Sequence, residues 1–166
     1  HPCIGVRSEK EFTWQTYEQV HNRIDSLAAA FTTELKCSQG DMACFFLQNC
    51  AEWSLLEHAS YASGVIVVPL YETLGKDSAA FILNQTQARV LIVDANSLVK
   101  VEFAKCPKIA HVILVGKHAD TNCIPSGVVA HKLSDLEKKY QGHSRPILAG
   151  SDEDSGGKRI FCRIFF

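Results

Sequence analysis

The order of apolar runs along the chain predicts an α/β protein built on an open, mostly parallel, doubly wound sheet. Short apolar runs at 42–47, 65–70, 89–94 and 110–115 alternate with segments of helical periodicity. The runs are apolar at consecutive positions rather than every second one, the pattern of strands covered on both faces. No two-residue hairpin signal joins any of them, so helical crossovers, right-handed by rule, are the expected connections.

Each element has a local reason. Residues 12–15 read as a short extended lead-in. Thr16 and Gln19 form a capping box, in which each side chain satisfies the other residue's backbone N–H. Val20, Ile24, Leu27, Phe31 and Leu35 then recur at spacings of three and four, which predicts a helix to about Lys36. Gly40-Asp41 marks a turn, and MACFFL (42–47) follows as a strand.

Asn49 with Glu52 repeats the capping signature. Trp53, Leu56 and Ala59 carry a second helix to Ser63, where Gly64 stops it. VIVVPL (65–70) is a β-branched strand; Pro69 cannot donate to a ladder, so the strand ends there or lies at a sheet margin. Residues 78–86 predict a short helix and RVLIVD (89–94) a third strand. Asn96 is placed to cap a helix to Cys106, ahead of Pro107. AHVILV (110–115) forms a fourth strand ended by Gly116, and Ser134 with Glu137 a third capping box, for a helix ending near Gly142.

Beyond Gly142 the character changes. SRPILAGSDEDSGGKR is polar and turn-rich, and the chain closes on IFCRIFF, an apolar run expected to need a neighbour. The expected organisation is a partial N-terminal α/β domain over 1–142, then a linker with a truncated or non-native tail over 143–166. The start at His1, without a methionine or signal-peptide pattern, agrees with a fragment or matured product.

Composition narrows the function classes. At 166 residues, 46% hydrophobic, 21% charged and net charge −1, the chain is an ordinary globular one. Its Lys and Arg are scattered, so no nucleic-acid footprint is expected. No run reaches the ~18 apolar residues needed to span a bilayer. Seven cysteines, an odd count without C-x-x-C, read as buried or incidental thiols in a reducing compartment. The seven histidines lack zinc-type spacing.

Motifs for nucleotide or acyl chemistry are incomplete. In SGGKR, Lys158 is followed by Arg159 instead of a hydroxyl, and Asp152 stands where a phosphate loop needs its first Gly. No G-x-G-x-x-G and no G-x-S-x-G occurs. Asp77, Asp94 and Asp120 fall near element ends, where a cap or turn role is the simpler reading. Tyr71-Glu72-Thr73 follows a strand at the edge where such sheets bind ligands, yet reads more simply as packing and turn residues. Trp53 reads as a core anchor.

One stretch is more specific. QNCAEWSLLEHASYASGVIVVPLYETLG, residues 48–75, resembles the early core of the long-chain acyl-CoA synthetases, which carry QN-x-x-EW and then VPLY-(D/E)-TLG. FTWQTYEQVHNRIDSLAAAF resembles that family's first helix, GDMACFFLQN its following strand, and RVLIVD and HVILVG later strands. The resemblance covers roughly residues 11–154.

It implies a parent that activates a long-chain fatty acid with ATP and Mg2+, forms an acyl-adenylate, releases pyrophosphate, and transfers the acyl group to coenzyme A. It also implies an intracellular enzyme, membrane-associated at endoplasmic reticulum, mitochondria or peroxisomes. PILAGSDEDS is similar to the approach to the family's phosphate loop, but from Ser155 the chain departs from the pattern. No catalytic, cofactor-binding or metal residue is therefore assigned. The chain alone is expected to be inactive and to bind none of these cofactors tightly. The rival reading is a free-standing flavodoxin-like or receiver-like α/β binding module without catalysis.

Overall fold

The computed structural model of the chain describes residues 1–7, 9, 11–71, 73, 76–116 and 121–148. In chain order the elements are β1 (Pro2–Arg7), β2 (Phe12–Thr16), α1 (Tyr17–Thr33), β3 (Met42–Phe46), α2 (Ala51–Ala62), β4 (Ile66–Pro69), α3 (Lys76–Thr86), β5 (Val90–Asp94), α4 (Ala95–Leu98), β6 (His111–Val115), β7 (Val129–Lys132) and α5 (Leu133–Lys139). Strands β3 to β7 form one sheet in the order β4-β3-β5-β6-β7, and every pair in it is parallel. The expected open parallel sheet is present, with one strand more than the apolar runs predict.

Consecutive residues of the central strands divide between two cores, which explains their unbroken apolar runs. Ala43, Phe45, Leu47, Val90, Ile92 and Ile113 pack with Leu27 and Phe31 of α1, Leu55 and Leu56 of α2, and Leu136 of α5. Their neighbours Cys44, Phe46, Leu91, Val93, Val112 and Leu114 pack with Ala79, Ala80 and Leu83 of α3 and Leu98 of α4. Helices thus cover both faces, the doubly wound arrangement. Full burial of a side chain such as Phe45 contributes about 2–3 kcal/mol.

Helix starts test the capping readings directly. The box at Thr16 forms: Gln19 N–H donates to Thr16 Oγ1 at 3.2 Å, and Thr16 N–H donates to Gln19 Oε1 at 2.8 Å. Helix α1 ends at Thr33, earlier than expected, and Lys36 takes a left-handed φ of 54°. Three other caps are corrected. Cys50, not Asn49, is the N-cap of α2, so Glu52 falls one position short of the reciprocal bond. Asp94, not Asn96, caps α4, which closes at Leu98 well before Cys106; a separate 3-10 turn covers Phe103–Lys105. Lys132, not Ser134, is the N-cap of α5, and Ser134 Oγ turns to Asp135. Glu137 instead pairs with Arg23 Nε of α1 at 2.8 Å.

Two strands escaped the sequence reading. β1 begins with Pro and contains Gly, and β7 (VAHK) is short and half polar, so neither offers an apolar run. β1 pairs antiparallel with β2 in a separate two-stranded sheet. Trp14 lies opposite Gly5, and a Cβ at Gly5 would stand 2.8–2.9 Å from three Trp14 ring carbons. Phe12 stacks on Trp14 with ring centroids 5.9 Å apart, and both rings are exposed. Pro69 ends β4, which is also the margin of the main sheet.

Past α5, Arg145 Nε lies 2.8 Å from Asp25 Oδ1 of α1, and Leu148 approaches Gly64. The SGGKR and IFCRIFF segments lie outside the described residues.

Two predictions follow from the caps and the hairpin. Thr16→Ala should cost about 1 kcal/mol in urea unfolding, whereas Ser134→Ala should stay within about 0.5 kcal/mol. Gly5→Ala, which must displace the Trp14 ring, should cost about 1–3 kcal/mol and shift the tryptophan emission.

Candidate functional site at the switch point of the sheet

Open parallel sheets bind ligands beyond the carboxyl ends of their strands, where successive connections leave on opposite sides. Here that point lies between β3 and β5. The chain leaves β3 through α2 on the α1 face, runs out to β4, and returns through α3 on the other face to β5.

Three segments meet at this edge: Gln48–Cys50 after β3, Leu70–Tyr71 after β4, and Asp94 at the end of β5. The Asp94 carboxylate joins two of them. Its Oδ1 accepts from Ser97 N–H at 2.8 Å, capping α4, and its Oδ2 accepts from Gln48 N–H at 3.0 Å. Hydrogen bonds from backbone N–H to an ionised carboxylate are short and comparatively strong. The Asp94 carboxylate is therefore held by two backbone N–H groups at this edge.

The remaining candidates divide. Cys50 is exposed at the N-cap of α2, yet desolvation pushes its thiol above the ordinary range, so it is not an activated nucleophile. Burial pushes Cys44 up to about 12 and Cys37 up to about 11, as for inert core thiols. Trp53 meets Phe45 edge-to-face at 5.2 Å, the expected anchor of α2 on the sheet. Tyr71 and Thr73 are exposed past β4, and Glu72 lies outside the described residues. Asp77 is exposed in the first turn of α3 and pairs with Lys105 Nζ at 3.0 Å, which also reaches Glu102 at 2.9 Å. Asp120 lies outside the described residues. Asp94 is thus a cap, as expected, with the added tie to Gln48 that no local pattern announces.

An edge-to-edge order of this kind, with helices on both faces, defines a doubly wound α/β domain. The chain belongs to the AMP-binding enzyme family, whose pattern matches residues 2–148. It is 33% identical over 167 residues to the long-chain-fatty-acid–CoA ligase 5 of Mus musculus, covering 96% of this chain and 22% of that protein. It is 29% identical over 166 residues to the human long-chain-fatty-acid–CoA ligase 6, covering 92% and 23%. The fold is similar to the A-PCP didomain of carboxylic acid reductase from Segniliparus rugosus in complex with AMP, with TM-score 0.75, 14% identity, and coverage of 84% and 22%. The chain spans about a fifth of the length of the curated relatives it matches.

The two N–H groups named above serve Asp94, and among the described residues no group of three or more His, Cys, Asp or Glu is able to hold a metal ion.

Asp94→Ala, which removes the cap of α4 and the acceptor for Gln48 N–H, should cost about 1–2 kcal/mol in urea unfolding, with Asp94→Asn costing less. Alkylation at pH 8 followed by mass spectrometry should modify Cys50 and Cys123 and spare Cys37 and Cys44 until the chain unfolds.

Proposed function

We propose that this chain serves as the N-terminal α/β scaffold of a long-chain fatty-acid–CoA ligase. The reaction joins a long-chain fatty acid to coenzyme A, using ATP and Mg2+ through an acyl-adenylate, with AMP and pyrophosphate as the other products. The carrying observation is 33% identity to a long-chain-fatty-acid–CoA ligase across 96% of the chain.

The commitment of Asp94 to two backbone N–H groups supports a framing role for these residues, with the reacting groups supplied by further sequence of the parent. Charge development on phosphate demands aligned donors and a cation, and adenylate chemistry depends on both. In this reading the 1–142 segment is the partial domain, and residues 143–148 still lie against it through Arg145 and Leu148. The proposal extends to an intracellular parent associated with endoplasmic reticulum, mitochondrial or peroxisomal membranes, which rests on the family resemblance alone. Among the described residues no helix is long and apolar enough to cross a membrane.

Two measurements test the reading. Sequencing the transcript past the Phe166 codon should reveal a Ser/Thr/Gly-rich loop carrying Pro-Lys-Gly; a stop codon there, with no such loop, overturns it. The purified 166-residue chain should release no fatty-acid-dependent pyrophosphate, and release above background would assign the chemistry to the chain itself.

A further inference from the structure

At the amino-terminal end of the sheet, opposite the switch point, two histidines meet across the last strand pair. His111 opens β6, and His131 lies on β7, opposite Ile113. His111 Nδ1 is 3.1 Å from His131 Nε2, with ring centroids 5.4 Å apart and the planes tilted by 33°. A nitrogen–nitrogen contact of this length is a hydrogen bond only while one of the two nitrogens carries a proton and the other a free lone pair. Protonating both rings converts it into a contact between like charges.

Among the described residues β7 is an edge strand of four residues, held by its ladder to β6 and by Val129 N–H donating to Ala110 C=O at 2.9 Å. Its side chains add little burial: Val129, Ala130 and Lys132 are exposed, and His131 is its one half-buried residue. It leads directly into α5, which seals one core with Leu133, Leu136 and Tyr140.

We propose that the His111–His131 hydrogen bond is an acid-sensitive latch that holds β7, and with it the start of α5, on the sheet.

The charges around the pair decide the direction of its response. Desolvation lowers the affinity of both rings for a proton; the His131 ring and Arg89 lower that of His111 further, and Lys139 that of His131. Glu34, at the end of α1, opposes this from the other side. Its carboxylate accepts from Lys139 Nζ and Tyr140 Oη, which hold it below its ordinary range. Histidines held below their ordinary value bind fewer protons folded than unfolded. Stability from the pair is therefore present at neutral pH and is lost as pH falls below about 6.5. Glu34 acts in a separate window: its contribution persists above the ordinary carboxylate value and is lost only below about 4.3.

Hydrogen exchange of the full chain at pH 7.5 and 5.5 tests the latch. After correction for intrinsic rates, exchange at Ala130, His131 and Lys132 should rise relative to Leu91–Val93 of β5 by about tenfold for each pKa unit separating folded from unfolded rings. In His111→Gln/His131→Gln, where the side chains no longer titrate, that ratio should be the same at both pH values. A pH-independent ratio in the unsubstituted chain, or an equal rise in the double variant, overturns the proposal. Should the double variant fail to fold, NMR titration of the unsubstituted chain decides: the two rings must titrate below about 6.5. Titration at or above that value overturns the latch. His131→Gln should then raise the His111 midpoint, and an unmoved midpoint overturns the latch equally.

Discussion

Everything in this molecule depends on burying a parallel sheet from both sides. Val90, Leu91, Ile92 and Val93 are fully buried in sequence, so each successive side chain must find a separate apolar layer. One layer is built by α1, α2 and α5, the other by α3 and α4. A helix that failed to dock would expose one whole face of β3 and β5, at roughly 25 cal/mol for each Å² of apolar surface returned to water. Because both faces are apolar, hydrophobic patterning alone cannot set strand register. The backbone ladder and the fit of particular side chains, such as Phe45 against Trp53, must set it.

Polar interactions are correspondingly pushed to the ends of the sheet. Asp94 ties β5 to the exit of β3 at one end, and His111 and His131 tie β6 to β7 at the other. On the outer surface, Arg23 with Glu137 and Lys139 with Glu34 fasten α5 to α1. The Arg23–Glu137 pair is half-buried, whereas Lys139 is exposed, and exposed ion pairs contribute little singly. The Asp94 ties differ in that a carboxylate accepts from two backbone N–H groups, one after β3 and one in α4.

A scaffold of this form explains how a short stretch of an AMP-binding enzyme can keep a clear family likeness through its packing. The segment 48–75, which carries the strongest resemblance, supplies β3's exit, α2 and β4. Leu55, Leu56, Val65 and Val67 in it are core residues, so packing accounts for much of its pattern. Gln48 contributes through its backbone N–H, and Tyr71 stands exposed past β4.

The linear order of residues determined the class of fold, four of the five parallel strands, the stripe of α1 and the cap at Thr16. Each of those rests on local spacing or on an unbroken apolar run, which any stretch of chain carries with it. Only the tertiary structure decided which residue starts α2, α4 and α5, because Asn49, Asn96 and Ser134 offered side chains where the backbone turned one or two residues away. It also decided that VAHK and PCIGVR are strands, since ladder partners rather than composition make them so. Asp94 was legible as a cap but not as the tie to Gln48, and the histidine pair was invisible. Both contacts join residues far apart in the chain, and a backbone N–H or an imidazole looks the same in sequence whatever stands across from it.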